Sequence, residues 1–378
     1  MASGTVPGIS TVPRQPFIDW LRVLAVLLLV PFHTARLFDI WEPFYAKSET
    51  TSQAMSLLFI ATCGPWHMPL LFALAGASTW HALRVRGRSG YLRERVRRLL
   101  LPLVFGVLVV VPPQSWCGAL TNTGHRGGFL SYYPQFFTIS AEWPLTGYMG
   151  GFTPGHLWFV LYLFVISCVM LPVVWRWQKD GERGARAWAA VLARPACFWA
   201  MPAALMLAQA IPDIGGKNIF YYTIFFLSGA LFAADAPLAE AVEARRKPAL
   251  AAGAALLLAV GVCWWLRVSG DGPVGLLLDI AYEGIAAWCL VVAALGYGKH
   301  LLGFSNRFLR YAAEAAYPFY ILHQTVIVLL GMVLLNRGAG IWAEFLIICV
   351  LATAATAILY AVFVKPWRPV RFLFGMKP

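Results

Sequence analysis

The chain has 378 residues, of which 60% are hydrophobic and only 12% charged, with a mean hydropathy of +0.68. Soluble domains carry about 25% charged residues, and no globular core of this length hides so much apolar surface. A soluble enzyme, a disordered chain and a fibrous protein are therefore excluded. The sequence describes an all-α, polytopic integral membrane protein, read as a single domain over residues 1–378. Its net charge of +13 reads as basic loops on one side of a membrane. No run interleaves basic and aromatic residues as a nucleic-acid groove does.

With about 20 apolar residues needed per span, the sequence predicts ten transmembrane helices. They lie at roughly 17–38, 55–82, 98–115, 156–176, 194–211, 216–236, 248–268, 275–297, 313–335 and 340–364, between short tails at 1–16 and 365–378. The first run is too long for a signal peptide, and no small-x-small cleavage site follows it. Twenty-four of the 30 Lys and Arg, Arg14 among them, fall on the side of the N-terminus. Only Arg36, Lys47, Arg126, Lys217, Arg267 and Arg337 fall on the other. This alternation puts both termini in the cytoplasm.

The long outer segment 116–155 shows neither helix nor strand periodicity. Its Trp, Tyr and Phe side chains suit stacking on a sugar or anchoring at the bilayer interface. His156, opening GHLWF, is expected at the outer surface. The seven cysteines include no CxxC and no metal-ligand spacing, so neither a disulfide framework nor a metal site is expected. No internal repeat of the transporter kind is visible. With the chain ending shortly after the tenth span, any ligand on the outer side is expected to meet the outer loops and the cavity.

Ionisable groups inside spans are costly and mark candidate sites. Arg22 and His33 stand eleven positions apart, which returns them to one helix face about 16 Å apart. A basic group at one end and an imidazole at the other suit an anionic donor whose reactive end crosses the bilayer. Arg36, one turn beyond His33, is expected to keep that imidazole neutral by charge repulsion. His67 in GPWHMP and His323 in YPFYILHQT are further candidates. Asp279 and Glu283, one turn apart, share a face and are read as substrate-binding or proton-relaying. In the loop LRVRGRSGYLRERVRRLLLP, Arg95 and Arg98 share a helix face where they can grip phosphates or lipid headgroups.

Six stretches, in order, carry a resemblance: FIDWLRVLAVLLLVPFH with Arg22-x10-His33, WHMPLLFALAGAS, YLRERVRRLLLP, GHLWFVLYLFV, FFLSGALF and YPFYILHQTVIV. Together they resemble the membrane-bound acyltransferase family 3, and within it the glucan biosynthesis C branch. The resemblance implies a ten-helix protein of the bacterial cytoplasmic (inner) membrane. It would take an acyl group from cytoplasmic acyl-CoA, succinyl-CoA or acetyl-CoA, to an extracytoplasmic glucan or other polysaccharide. His33 would be the catalytic histidine, with Arg22, Arg95 and Arg98 on the donor side; in the closest branch the acyl group is succinyl. Two positions depart from the pattern: Ala75-Gly76 stands where the family has Ser-Gly, and Gln324 where a second His often follows the first. The competing readings are an O-acetyltransferase acting on another surface glycan, and a proton-coupled transporter using the same histidines and carboxylates.

Overall fold

Pro16 takes the first helical position, where its missing N–H costs nothing, and Asp19 faces the positive end of the helix dipole. The helix they open, α1 (Pro16–Ala35), runs unbroken past Arg22 and His33. The computed structural model describes residues 15–139, 146–266 and 272–377; Arg14, Arg267 and the stretch 140–145 lie outside the described residues.

After a loop at 36–52, Ser52 caps the short α2 (Gln53–Met55), which continues through a π-helical turn, Ser56–Ala61. Next comes α3 (His67–Arg95), followed without interruption by a π turn (Val96–Leu100), α4 (Leu101–Phe105), a second π turn (Gly106–Val110) and α5 (Val111–Asn122). The two spans that the sequence separates between 82 and 98 follow one another in the run 67–122 with no intervening loop. The run is broken at Gly87, whose φ of 67° and ψ of 177° are non-helical.

The outer segment expected to lack periodicity is partly helical. It holds the end of α5, the eight-residue α6 (Phe129–Phe136) and a 3-10 turn, Gly155–Leu157. Phe129, Tyr132, Tyr133 and Phe136 recur at i, i+3, i+4 and i+7, the one-face spacing of a helix, in a stretch only eight residues long.

Three bent pairs follow. α7 (Trp158–Val169) meets α8 (Leu171–Lys179) at 44°, α9 (Arg183–Ala193) meets α10 (Pro195–Gln209) at 93°, and α11 (Ile219–Ala234) meets α12 (Ala236–Ala244) at 111°. In each the second helix opens with a proline in its first two positions. That residue starts a helix but cannot continue the preceding one. Then come α13 (Arg246–Trp265), and α14 (Pro273–Ala281) leading through a π turn (Tyr282–Ala286) into α15 (Ala287–Leu301). α16 (Arg307–Leu334), α17 (Ile341–Leu359) with its π turn Tyr360–Val364, and α18 (Arg368–Leu373) complete the order.

Among the described residues, six runs are long and apolar enough to cross a membrane, or nine if each bent pair is one span, against the ten expected. The run 67–122 counts once in this tally, although Gly87 divides it in the interval where the sequence separates two spans. No strand forms among the described residues apart from an isolated bridge between Ile214 and Lys217.

Packing is closest where small residues meet. A Cβ on Gly76 of α3 would lie 1.8 Å from the Phe226 carbonyl oxygen, and one on Gly229 of α11 would lie 1.9 Å from that of Ala73. Such backbone contact is how membrane helices gain dispersion energy without a hydrophobic drive between them. α1 packs against α15, α16 and α17, so the helix bearing Arg22 and His33 is internal.

Candidate active site

His33 stands near the end of α1, half-buried, with its Nδ1 enclosed and without a hydrogen-bond partner. Its ring lies 5.2 Å from that of His323 on α16, and the His323 ring lies 5.3 Å from that of His156 (centroid distances). The three imidazoles form a row inside the bundle. His323 is fully buried and its Nδ1 is 2.6 Å from the Tyr320 carbonyl oxygen, while its Nε2 has no partner. His156 is 5% exposed; its Nε2 is 2.8 Å from the Ile321 carbonyl oxygen and its Nδ1 has no partner. The Tyr320 hydroxyl donates to the His156 carbonyl.

His156 therefore lies within the site, not at the outer surface. Gly155 explains this: its φ is +52°, and a Cβ there would meet Gln114 Nε2 at 2.3 Å. Only glycine lets the chain turn at this point and send the next side chain inward. Behind the imidazoles, Gln324 Nε2 donates to Gln114 Oε1 at 3.3 Å, leaving Gln114 Nε2 and Gln324 Oε1 enclosed and unpaired. Buried polar atoms are nearly always paired in folded proteins, so this cluster of unpaired ones makes the row a candidate site.

A lid of aromatic residues covers His33. Phe44 lies parallel to its ring at 6.4 Å, and Tyr148 lies 5.6 Å from Phe44 and 5.0 Å from Tyr45. The Tyr45 hydroxyl donates to the Thr146 carbonyl, and Asn122 donates to the carbonyls of Phe44 and Tyr148. Beside the lid, Arg36 is buried and paired with Asp39 and, at 3.2 Å, with Glu42; Lys47 also pairs with Asp39. Burial pulls the Lys47 ammonium below its ordinary pKa, opposed by its hydrogen bond to Asp39. Arg36 is thus a paired cation: two carboxylates meet its charge, and its guanidinium carbon lies 5.5 Å from the centre of the Phe44 ring that also stacks on His33.

Further down α1, Arg22 donates to Asp19 at 3.1 Å and to the Ser78 hydroxyl of α3 at 2.8 Å. At the other end of α3, Arg95 and Arg98 take different partners. Arg98 pairs with Glu94, which also holds Arg86. Arg95 lies 4.6 Å over the Tyr91 ring with its Nε enclosed and unpaired, in electrostatic reach of the equally unpaired Tyr317 hydroxyl. Tyr317 stacks on Tyr320 at 6.4 Å, and Tyr320 touches the ring of His156 at 5.7 Å. One face of α16 therefore leads from Arg95 to the imidazole row.

Comparison with known proteins places the chain in a family. A family profile described as an acyltransferase domain, that of acyltransferase family 3, matches residues 15–361. The chain belongs to this family. It is 23% identical to proteins named "Glucans biosynthesis protein C" from Salmonella paratyphi A and Salmonella agona, over 97% of this chain and 96% of theirs. The protein of that name from Salmonella paratyphi B matches at the same identity and coverage. No solved structure matches.

In this acyltransferase the remaining predicted residues divide. His67 is buried, its Nε2 2.7 Å from the Ala25 carbonyl oxygen, and its ring stacks on Phe32 at 6.5 Å, next to His33. Asp279 is exposed. Glu283 accepts from Gln209 in a separate cleft of about 330 Å³, lined also by Asp213, Lys217, Asn218, Tyr221 and Tyr222. The π turn Tyr282–Ala286 alters the one-turn spacing on which the shared face of Asp279 and Glu283 was based. No group of three His, Cys, Asp or Glu side chains with metal-binding geometry occurs among the described residues.

Proposed function

We propose that this membrane acyltransferase moves an acyl group from cytoplasmic acyl-CoA to a hydroxyl of an extracytoplasmic glucan, with His33 as general base. The observation that carries the reading is the α1 axis: an imidazole with an unpaired, enclosed nitrogen at one end, and Arg22 eleven residues toward the other. A cytoplasmic N-terminus would put Arg22, Arg95 and Arg98 on the donor side, where the unpaired Arg95 Nε suits a phosphate. The pantetheine arm would follow the α16 face past Tyr317 and Tyr320, presenting its thioester beside His33. His33 takes the proton of the acceptor hydroxyl, the oxygen attacks the thioester carbonyl, the C–S bond breaks, and the thiolate recovers the proton from His33. The glucan acceptor is supported by the likeness to the glucans biosynthesis C proteins. Succinyl is the acyl group that the branch resemblance favours.

The test is mass spectrometry of periplasmic glucans and surface polysaccharide from a deletion strain complemented with wild type or His33→Ala. A succinyl-sized mass that returns only with wild type supports donor, acceptor and base together. An acetyl-sized change on another glycan replaces both succinyl and glucan while keeping the base. Full restoration by His33→Ala would overturn the mechanism.

A further inference from the structure

The geometry points to His323 as a positioning residue that fixes the proton of His33 on Nδ1, leaving Nε2 bare to act as the base; the inference rests on the reading of His33 given above. A neutral imidazole has one N–H and one lone pair. The atom 2.6 Å from His323 Nδ1 is the Tyr320 carbonyl oxygen, which only accepts, so His323 carries its hydrogen on Nδ1. Its enclosed Nε2 is then a lone pair without a donor. His156 is anchored in the same way one residue along α16, its Nε2–H directed to the Ile321 carbonyl. Neither histidine can turn its N–H elsewhere without stranding a buried carbonyl interaction.

His33 supplies the matching half. Its Nδ1 is enclosed and unpartnered, and the His323 ring centroid is 5.2 Å from its own. The two rings are tilted by 47° to one another, and at this spacing rotation about the side-chain torsions brings a nitrogen of each into hydrogen-bond reach. The bond is not closed in the structure, as is common for catalytic contacts before substrate binds. The carboxylates nearest in sequence, Asp39 and Glu42, are taken by Arg36 and Lys47. Closing the His33–His323 contact satisfies two orphaned atoms at once and makes a chain: His33 Nδ1–H to His323 Nε2, then His323 Nδ1–H to the Tyr320 carbonyl.

The chain has the logic of a nucleophile–base–orienter triad with a neutral imidazole in place of the carboxylate. The tautomer is fixed, and the imidazolium formed on His33 is stabilised by an aligned N–H and carbonyl dipole. His323 keeps its one proton throughout, while the acceptor's proton passes to His33 Nε2 and on to the leaving thiolate.

The test is 15N NMR of histidine-labelled protein at pH 8, with the His33 signal assigned by its loss in His33→Ala. Wild type is expected to show His33 as the Nδ1–H tautomer. His323→Gln, which offers an amide oxygen near the position of Nε2, should retain it, and His323→Leu should shift it toward Nε2–H. In acyl transfer, His323→Leu should lower kcat by on the order of 10²-fold with KM within about twofold, and His323→Gln should recover a large part of that loss. A wild-type spectrum with His33 protonated on Nε2 overturns the proposal even if His323→Leu does not fold. An unchanged tautomer in folded His323→Leu, or equal kcat in the Gln and Leu variants, overturns it as well. The spectrum is read without turnover, so it separates this inference from the base role, which fails if His33→Ala stays active.

Discussion

Arg22 and Ser78 are joined by a 2.8 Å hydrogen bond from the guanidinium to the hydroxyl, which itself donates to the Leu74 carbonyl one turn back in α3. The bond holds Arg22 between α1 and α3 instead of letting it extend toward lipid headgroups. With Asp19 on its other nitrogen, Arg22 has a fixed direction.

Removing the guanidinium should cost far more than removing its hydroxyl partner. Charge-assisted hydrogen bonds are worth about 1.5–3 kcal/mol, so Arg22→Ala is expected to lower kcat/KM for the acyl donor roughly 10–100-fold. Ser78→Ala leaves the charge and should cost about 2–5-fold. Steady-state kinetics with varied acyl-CoA decide it; equal losses in the two variants would mean that Arg22 acts only through α3.

The axis and the buried histidines could be read from the sequence because they depend on helical spacing alone, as with Arg22 and His33. The rest turns on features that spacing does not carry. His156 is brought inward by the backbone of Gly155, a conformation one residue long. The partners of Arg36, Asp39 and Glu42 with Lys47 beside them, come from the loop after α1, whose path helical spacing does not carry. Helical spacing gives Asp279 and Glu283 a common face, but the π turn at 282–286 changes the spacing, and Glu283 lines the cleft while Asp279 is exposed. Hydropathy separates spans at 55–82 and 98–115, and the break falls at Gly87, but the π turns at 96–100 and 106–110 have no signature in composition.

Gly76 and Gly229 set a second prediction. The atoms that a new methyl group would strike at each are backbone, which cannot rotate away. Gly76→Ala or Gly229→Ala must push α3 and α11 apart, a cost of at least about 1–3 kcal/mol. Each variant should melt well below wild type in detergent, whereas Gly261→Ala, with open space at its Cβ, should not.

Glu182 gives a dependence on pH. It lies in the turn between α8 and α9 and pairs with Arg84 of α3 and Arg186 of α9. Desolvation raises its pKa, but the hydrogen bonds from Arg84 and Arg186 outweigh it and hold the carboxyl below its ordinary 4.5. As pH falls the unfolded chain takes up this proton first, so the contact stabilises fully above 4.5 and its contribution is lost as pH drops through the folded value. Thermal unfolding of Glu182→Gln should fall less steeply with acid below pH 4.5 than that of wild type. Parallel slopes would show that the pair contributes nothing to folding.

Glu42 carries the last prediction, which concerns the acyl group. Arg36 lies one turn beyond His33 and divides its nitrogens between two carboxylates of different character. Asp39 is fully buried and also holds Lys47, whereas the Glu42 side chain is 71% exposed and bonds Arg36 at 3.2 Å. An exposed partner of this kind is worth about 0–1 kcal/mol, so it can be displaced by another carboxylate. A succinyl donor ends in such a group, and an acetyl donor does not. Glu42→Gln keeps the size of the side chain, removes the competitor and leaves the buried Arg36–Asp39–Lys47 core in place. It should lower KM for succinyl-CoA by about 2–5-fold, in line with a surface pair of that strength, and leave KM for acetyl-CoA unchanged. If the ratio of the two KM values matches wild type, Arg36 takes no part in choosing the acyl group and serves only to anchor the loop over His33.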